Sequence, residues 1–386
     1  MTIDFSQAPD TQVAAASGRT FLPSYDDDAP PIAPRSSLGR MTPDELFVRA
    51  GSWLAALGLA WITTQRLLPL PGVPWFLIAF FVFGILATAV TTAATGTWID
   101  VKDRVAGAVI TGLALVVGIA LVAVVTYVAV KGFRPLLNLN FFLDDMSGVG
   151  PKDPFDEGGI RHAILGSLIE IGIAVAITLP LGVGTAVFMT EVGGRFARIV
   201  RTIVEAMTAL PSIVAGLFIY TVWILALGND RSGFAASLAL SVMMLPIIAR
   251  ASDVVLRVVP GGLREASLAL GASRWRTVWH VVLPTARPGL ATALILGIAR
   301  GVGETSPVLL TSGAAEFTKA NPFEGAMNSL PLFIFGGVRS GNDVAIQRAY
   351  GAALVLLILV LVLFVIARLL ARPRRTTTRP SRKARS

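Results

Sequence analysis

Cysteine is absent from all 386 residues. That excludes disulfides, thiol nucleophiles and thiolate metal sites, and it leaves the compartment unreadable from redox chemistry. Histidine is nearly absent: the two present, His162 and His280, are too few and too separated for a metal cluster. Charge is scarce at 15% of residues. The chain contains no G-x-x-x-x-G-K-[ST], so it cannot bind ATP through a P-loop. H-E-x-x-H and G-x-S-x-G are missing too, which removes two common hydrolase centres.

What abounds is apolar. Hydrophobic residues make up 54% of the chain, and mean hydropathy is +0.70. They come in blocks of about 20 residues, the length that crosses a hydrocarbon layer of roughly 30 Å as a helix. The expected fold class is therefore an all-α polytopic membrane protein. The net charge of +9 does not redirect this toward nucleic acid. Seven basic residues lie in the last sixteen, directly after an apolar helix, where they read as a cytoplasmic topology anchor.

In chain order, residues 1–46 are rich in Pro, Ser, Asp and Ala and are expected to form a disordered cytoplasmic tail, with no signal peptide. Eight spans are expected, near 48–68, 74–95, 105–130, 162–190, 199–227, 234–256, 288–311 and 350–371. The first two form a hairpin within 47–100, turned by the prolines between Leu68 and Pro74. Lys102 and Arg104, then Arg195, Arg198 and Arg201, then Arg257 to Arg287, fall in loops on one side, which is taken as cytoplasmic. Both termini share that side, and 372–386 is a basic cytoplasmic tail. The segments 131–161 and 312–349 face outward.

Two places carry chemistry. The first runs from Arg264 to Pro284, a polar interval between apolar segments. Glu265, Ala266 and Ser267 precede Gly271, and Val281, Leu283 and Pro284 follow. Ala266, Ala269 and Ala272 at helical spacing offer a small-residue face for close approach by another protein. Gly271 permits the turn after the first helix, and Pro284 suits the start of a new segment. The second is Arg300, about 20 Å along a helix from Arg287 at 1.5 Å per residue. That depth is near the bilayer middle, where an arginine is costly. Glu304, four residues on, shares its face. Two readings stay open for the pair: an ion pair that orients helices, or part of an anion path. Arg250, near the inner end of the sixth span, is close enough to snorkel to the cytoplasm. Glu205 lies near an inner end, and Glu170 lies deeper without an assigned role.

The Glu-Ala-Ser…Gly…Val-x-Leu-Pro pattern resembles the EAA loop of ABC-transporter permeases, a cytoplasmic helix that docks on an ATPase. Further motifs are Leu210-Pro211-Ser212, Leu245-Pro246-Ile247-Ile248-Ala249-Arg250, Glu304-Thr305-Ser306-Pro307 and Asn328-Ser329-Leu330-Pro331. Together they resemble the PstA family of phosphate ABC importer permeases, over about residues 105–371. The resemblance implies a type I, MetI-like permease core of six helices at 101–371, preceded by two extra helices. It implies as partners a PstC-like permease, a PstB-like ATPase dimer that binds the ATP and Mg, and an extracytoplasmic PstS-like phosphate-binding protein. No cofactor is expected in this chain, and no catalysis. Arg250, Arg300 and Glu304 are expected along the phosphate path. Glu265, Ala266, Ser267, Gly271, Leu283 and Pro284 are expected to couple to the ATPase. Alternatives are a permease for another oxyanion such as sulfate or molybdate, the sister permease PstC, or a passive anion channel, which leaves the EAA pattern unexplained.

Overall fold

The computed structural model describes residues 43–68 and 72–370. The expectations for the N-terminal tail to residue 42, for the prolines at 69 and 71 and for the basic tail after 371 therefore lie outside the described residues. Among those described there is no strand. The chain divides into two compact units, the first ending at Val116 and the second beginning at Val117.

In the first unit, α1 (Pro43–Ile62), extended by a π-helical turn to Leu67, packs against α2 (Val73–Thr95). The aromatic ring of Trp53 lies over Gly84, which has no side chain to keep it away. Buried Thr88 and Thr92 return their hydroxyls to carbonyls one turn back, so no polar group inside the hairpin is left unpaired.

The third helix, α3 (Trp98–Leu136), runs 39 residues, longer at both ends than the expected 105–130. Lys102 and Arg104 are thus helical, not in a loop. A short turn, α4 (Asn140–Leu143), leads to the segment expected to face outward and then to α5 (Arg161–Val187), which continues as a π-helical turn to Val192. There Gly193 and Gly194 both take positive φ, 66° and 84°, and reverse the chain.

The expected fifth span, 199–227, is not one helix. It consists of α6 (Gly194–Thr208) and a second arm of α7 (Ser212–Ile219) with a π-helical extension to Ala226, bent by 104°. Two physical causes converge. Pro211 has no N–H and drives Leu210 out of helical conformation. In addition, α6 carries Arg195, Arg198, Arg201 and Glu205 beside Phe196, Ile199 and Ile203, an amphipathic pattern of the kind that favours an interface, unlike the apolar second arm. Arg201 of α6 bonds Met189 O and Asp253 at one end of the bundle, whereas Ser232 N, just beyond the second arm, bonds Thr311 O at the other. The described residues hold seven helices long and apolar enough to cross a membrane, and eight if this bent pair counts as one span.

Next come α8 (Gly233–Val258), α9 (Gly261–Ala269), α10 (Arg274–Thr277) and α11 (Leu283–Val302), the last two joined by a π-helical turn. The expected span 288–311 is therefore displaced. A continuous helix runs Arg274–Val302, breaks at 303–305, and resumes as α12 (Ser306–Thr311). The outer segment then holds α13 (Leu330–Arg339), and α14 (Asp343–Leu370) closes the bundle, starting seven residues before the expected 350.

The core is built from α5 and α8. Small residues let them approach: Gly182 meets Ile248, and Ala174, Ala236 and Leu240 join Met244, Val308 and Leu332 in one cluster. Against α8 lies α11, with Gly301 facing Met244, Gly297 facing Ile248 and Gly289 facing Val255. These three contacts set the antiparallel register of the two helices.

Candidate functional site

The coupling segment is a short exposed helix with a defined stop. At its end Gly271 N donates to Leu268 O (2.9 Å) and Ala272 N to Ser267 O (3.2 Å). Gly271 has φ +81°, so the helix closes as a Schellman motif that a left-handed residue makes possible. The turn expected at Gly271 is there, but Ala272 lies beyond it and does not extend the face of Ala266 and Ala269. Glu265 and Ala266 are exposed, and Ser267 is half-buried with its hydroxyl 2.9 Å from that of Thr277. Leu270 is 90% exposed, an apolar knob at the tip that residue spacing did not single out.

Leu283 and Pro284 do not share this exposed tip. They are half-buried where the π-helical turn Val278–Val282 passes into α11, and Val282 and Ala286 pack with Leu256 and Val259. Pro284 sits in the first turn of α11, a position that needs no N–H donor. The six coupling candidates thus separate into an exposed knob and a packed anchor.

A polar network underlies the knob. Arg264 donates from Nε and Nη2 to Glu191 Oε1 (3.1 and 3.0 Å), from Nη1 to Val259 O (2.8 Å) and from Nη2 to Leu256 O (2.9 Å). Asp253 is held between Arg201 (3.4 Å) and Arg257 (3.1 Å).

Arg300 stands two residues before the end of α11. From the register of Gly301 with Met244, it comes level with Leu245 of α8. Leu245 lies twelve residues from Gly233 and thirteen from Val258, so Arg300 is level with the middle of α8. It pairs with Glu304, but not along one continuous helix as expected: α11 stops at Val302, and the pair closes over the break. The guanidinium is 56% exposed and the carboxylate 7%.

Arg250 is also exposed, with no ion pair or side-chain hydrogen bond among the described residues. It is five residues beyond Leu245, about 7.5 Å closer to the coupling end at 1.5 Å per residue. No contact joins the two arginines; they occupy successive depths. The large cleft of about 740 Å³ between α5 and Arg274–Val302 is lined by Pro180, Val187, Trp275, Trp279 and Leu294 among others, with no charged residue, so an anion gains nothing there.

Glu170, unassigned from sequence, is fully buried and lies 2.5 Å from the hydroxyl of Ser312, which is also 2.9 Å from Met327 O. It fastens α5 to the start of the outer segment. Glu205 is exposed on α6. His280 is exposed and bonds Arg276 O; His162 is buried against Phe333. Among the described residues no group could hold a metal ion.

At the end of the bundle opposite α9, Arg348 belongs to α14, not to a loop, and donates to Gly150 O, Pro154 O and Glu157 O (3.3, 2.7 and 2.7 Å). Asp145 accepts from Thr318 N (2.8 Å), Thr318 Oγ1 (2.9 Å) and Ser147 N (3.2 Å). Burial opposes the Asp145 charge, but these hydrogen bonds outweigh it and hold its pKa well below the ordinary 3.8.

Residues 178–376 match the family described as binding-protein-dependent transport system inner membrane component. PstA of Mycobacterium leprae, a phosphate transport system permease protein, is 41% identical over 231 residues, covering 60% of this chain and 75% of that protein. PstA 1 of Mycobacterium tuberculosis is 40% identical with the same coverage. A solved bacterial ABC transporter involved in alginate import is 16% identical, covering 68% of this chain and 96% of its own, with a TM-score of 0.44. This chain belongs to the binding-protein-dependent transport system inner membrane components, and within them to the PstA permeases.

Proposed function

We infer that this chain is the permease subunit of an ATP-driven inorganic phosphate importer, itself without catalytic activity. The observation that carries the reading is an exposed arginine level with the middle of α8, paired with a buried carboxylate where its helix breaks. An arginine fork matches phosphate oxygens in geometry and charge. Its exposure in this chain leaves it free to line a path shared with a second permease subunit. Membership among PstA permeases at 40–41% identity supports phosphate as the anion.

ATP hydrolysis belongs to a partner ATPase and substrate delivery to a binding protein; a PstB-like dimer, a PstC-like permease and a PstS-like protein are the specific partners we assign. Arg300, Glu304 and Arg250 serve the path. Glu265, Ala266, Ser267 and Gly271 meet the ATPase, while Leu283 and Pro284 anchor the knob from behind. We assign both termini to the cytoplasmic side of a bacterial plasma membrane; a count of eight crossings and the arginines at the coupling end support this.

Purification of the tagged chain from its membrane tests the assembly. The expected companions are an ATPase with a P-loop, a second permease and a binding protein that holds phosphate. A companion binding protein loaded with sulfate or molybdate would reassign the substrate.

A further inference from the structure

The short helix α9 presents a mechanical problem. None of its nine residues is buried. Apolar burial, which fixes most helices to their neighbours, is only partial here, with Leu263 and Leu268 each 43% exposed. Its N-terminus follows Pro260 without a side-chain cap. Among the described residues its side chains form hydrogen bonds or ion pairs with other elements at two places. Ser267 meets Thr277 within the same hairpin, and Arg264 reaches the spans.

The Arg264 contacts are of two kinds. Val259 O and Leu256 O lie at the C-terminal end of α8, where the last carbonyls lack helical partners and a cation is favoured. Glu191 belongs to the end of the span that begins as α5. One guanidinium, 23% exposed, thus ties α9 to both α5 and α8. Those two helices form the principal packed pair of the bundle, and α8 carries Arg250.

We propose that Arg264 is the positioning residue that makes α9 move as one body with α5 and α8, converting a push on the exposed knob into displacement of the spans. This role rests on the reading of the chain as an ATPase-coupled permease. Arg264 touches neither the anion nor the ATP; it acts through the helices it ties. Without it, α9 would remain attached through its turn and the Ser267–Thr277 contact, able to follow the ATPase while the spans lag.

The test uses the complete complex in proteoliposomes, with phosphate uptake and ATP hydrolysis measured on the same sample. In Arg264→Gln, hydrolysis continues but phosphate moved per ATP falls about tenfold, inside the usual range of coupling between sites. Arg264→Lys, which keeps charge and loses the fork, lies between. An unchanged ratio in Arg264→Gln overturns the proposal. If that variant fails to assemble, Glu191→Gln decides, since it leaves Arg264 its two carbonyls: a lowered ratio upholds the proposal and a normal one overturns it. A wild-type complex whose hydrolysis is indifferent to phosphate-loaded binding protein would count against the importer reading itself.

Discussion

Arg300 and Glu304 pair across the gap between α11 and α12, the arginine exposed and the carboxylate buried. The break matters as much as the charges. In an unbroken helix the carboxylate would ride the same surface as the arginine; here the turn at 303–305 carries Glu304 inward and leaves the guanidinium outside. An arriving dianion can then share the fork without displacing a second exposed anion.

Arg300→Gln is expected to lower phosphate uptake about 10- to 100-fold, the worth of charged hydrogen bonds, while the ATPase still co-purifies. Arg300→Lys retains partial uptake, since charge survives and the planar fork does not. Loss of assembly in Arg300→Gln would make the pair a structural tie; normal uptake would take Arg300 off the path.

At the coupling knob, Glu265→Lys reverses an exposed charge and Gly271→Leu forces a side chain into φ +81°. The latter costs about 1–2 kcal/mol locally and unwinds the Schellman stop. Both variants are expected to insert and fold while losing most phosphate-stimulated ATP hydrolysis. Full stimulation in both would show that the ATPase docks elsewhere.

Sidedness is open to chemical labelling because the chain has no native cysteine. Ser340 is exposed just after α13, on the outer segment. Ser340→Cys is expected to react with an impermeant maleimide in intact cells. Labelling only after lysis would invert the topology.

The outer segment has its own pH signature. The folded pKa of Asp145 lies below its ordinary 3.8, so its stabilisation is fully present above that value and is lost as pH falls toward the folded pKa. Limited proteolysis within 312–329 is therefore expected to stay constant from about pH 5 to 8 and to accelerate below about pH 4. Asp145→Asn accelerates it already at neutral pH, having lost charged hydrogen bonds to Thr318. A variant indistinguishable from wild type at pH 7 would remove Asp145 from that role.

Much of this was legible from residue order. Apolar blocks marked the spans, Gly271 marked the turn, and the distance from Arg287 put Arg300 deep along its helix, level with the middle of α8. Failures came where a local pattern competed with apolar length. The loop expected around Arg195, Arg198 and Arg201 is part of the amphipathic helix α6, which takes in the start of the expected span 199–227 before Pro211 breaks it, and Arg274–Thr277 opens a continuous helix where a loop is expected. Arg264 and Arg348 were out of reach for another reason. Both act by bonding backbone carbonyls, at the end of the preceding helix for Arg264 and far away in sequence for Arg348, and a carbonyl leaves no trace in the residue letters.

The most direct measurement is anion uptake by the complete complex reconstituted in proteoliposomes with ATP inside the compartment facing the coupling knob. The expected result is accumulation of labelled phosphate against its gradient, stopped by vanadate and not competed by sulfate or molybdate. Transport of sulfate or molybdate in preference to phosphate, or phosphate flux that runs only downhill and ignores ATP, would contradict the account.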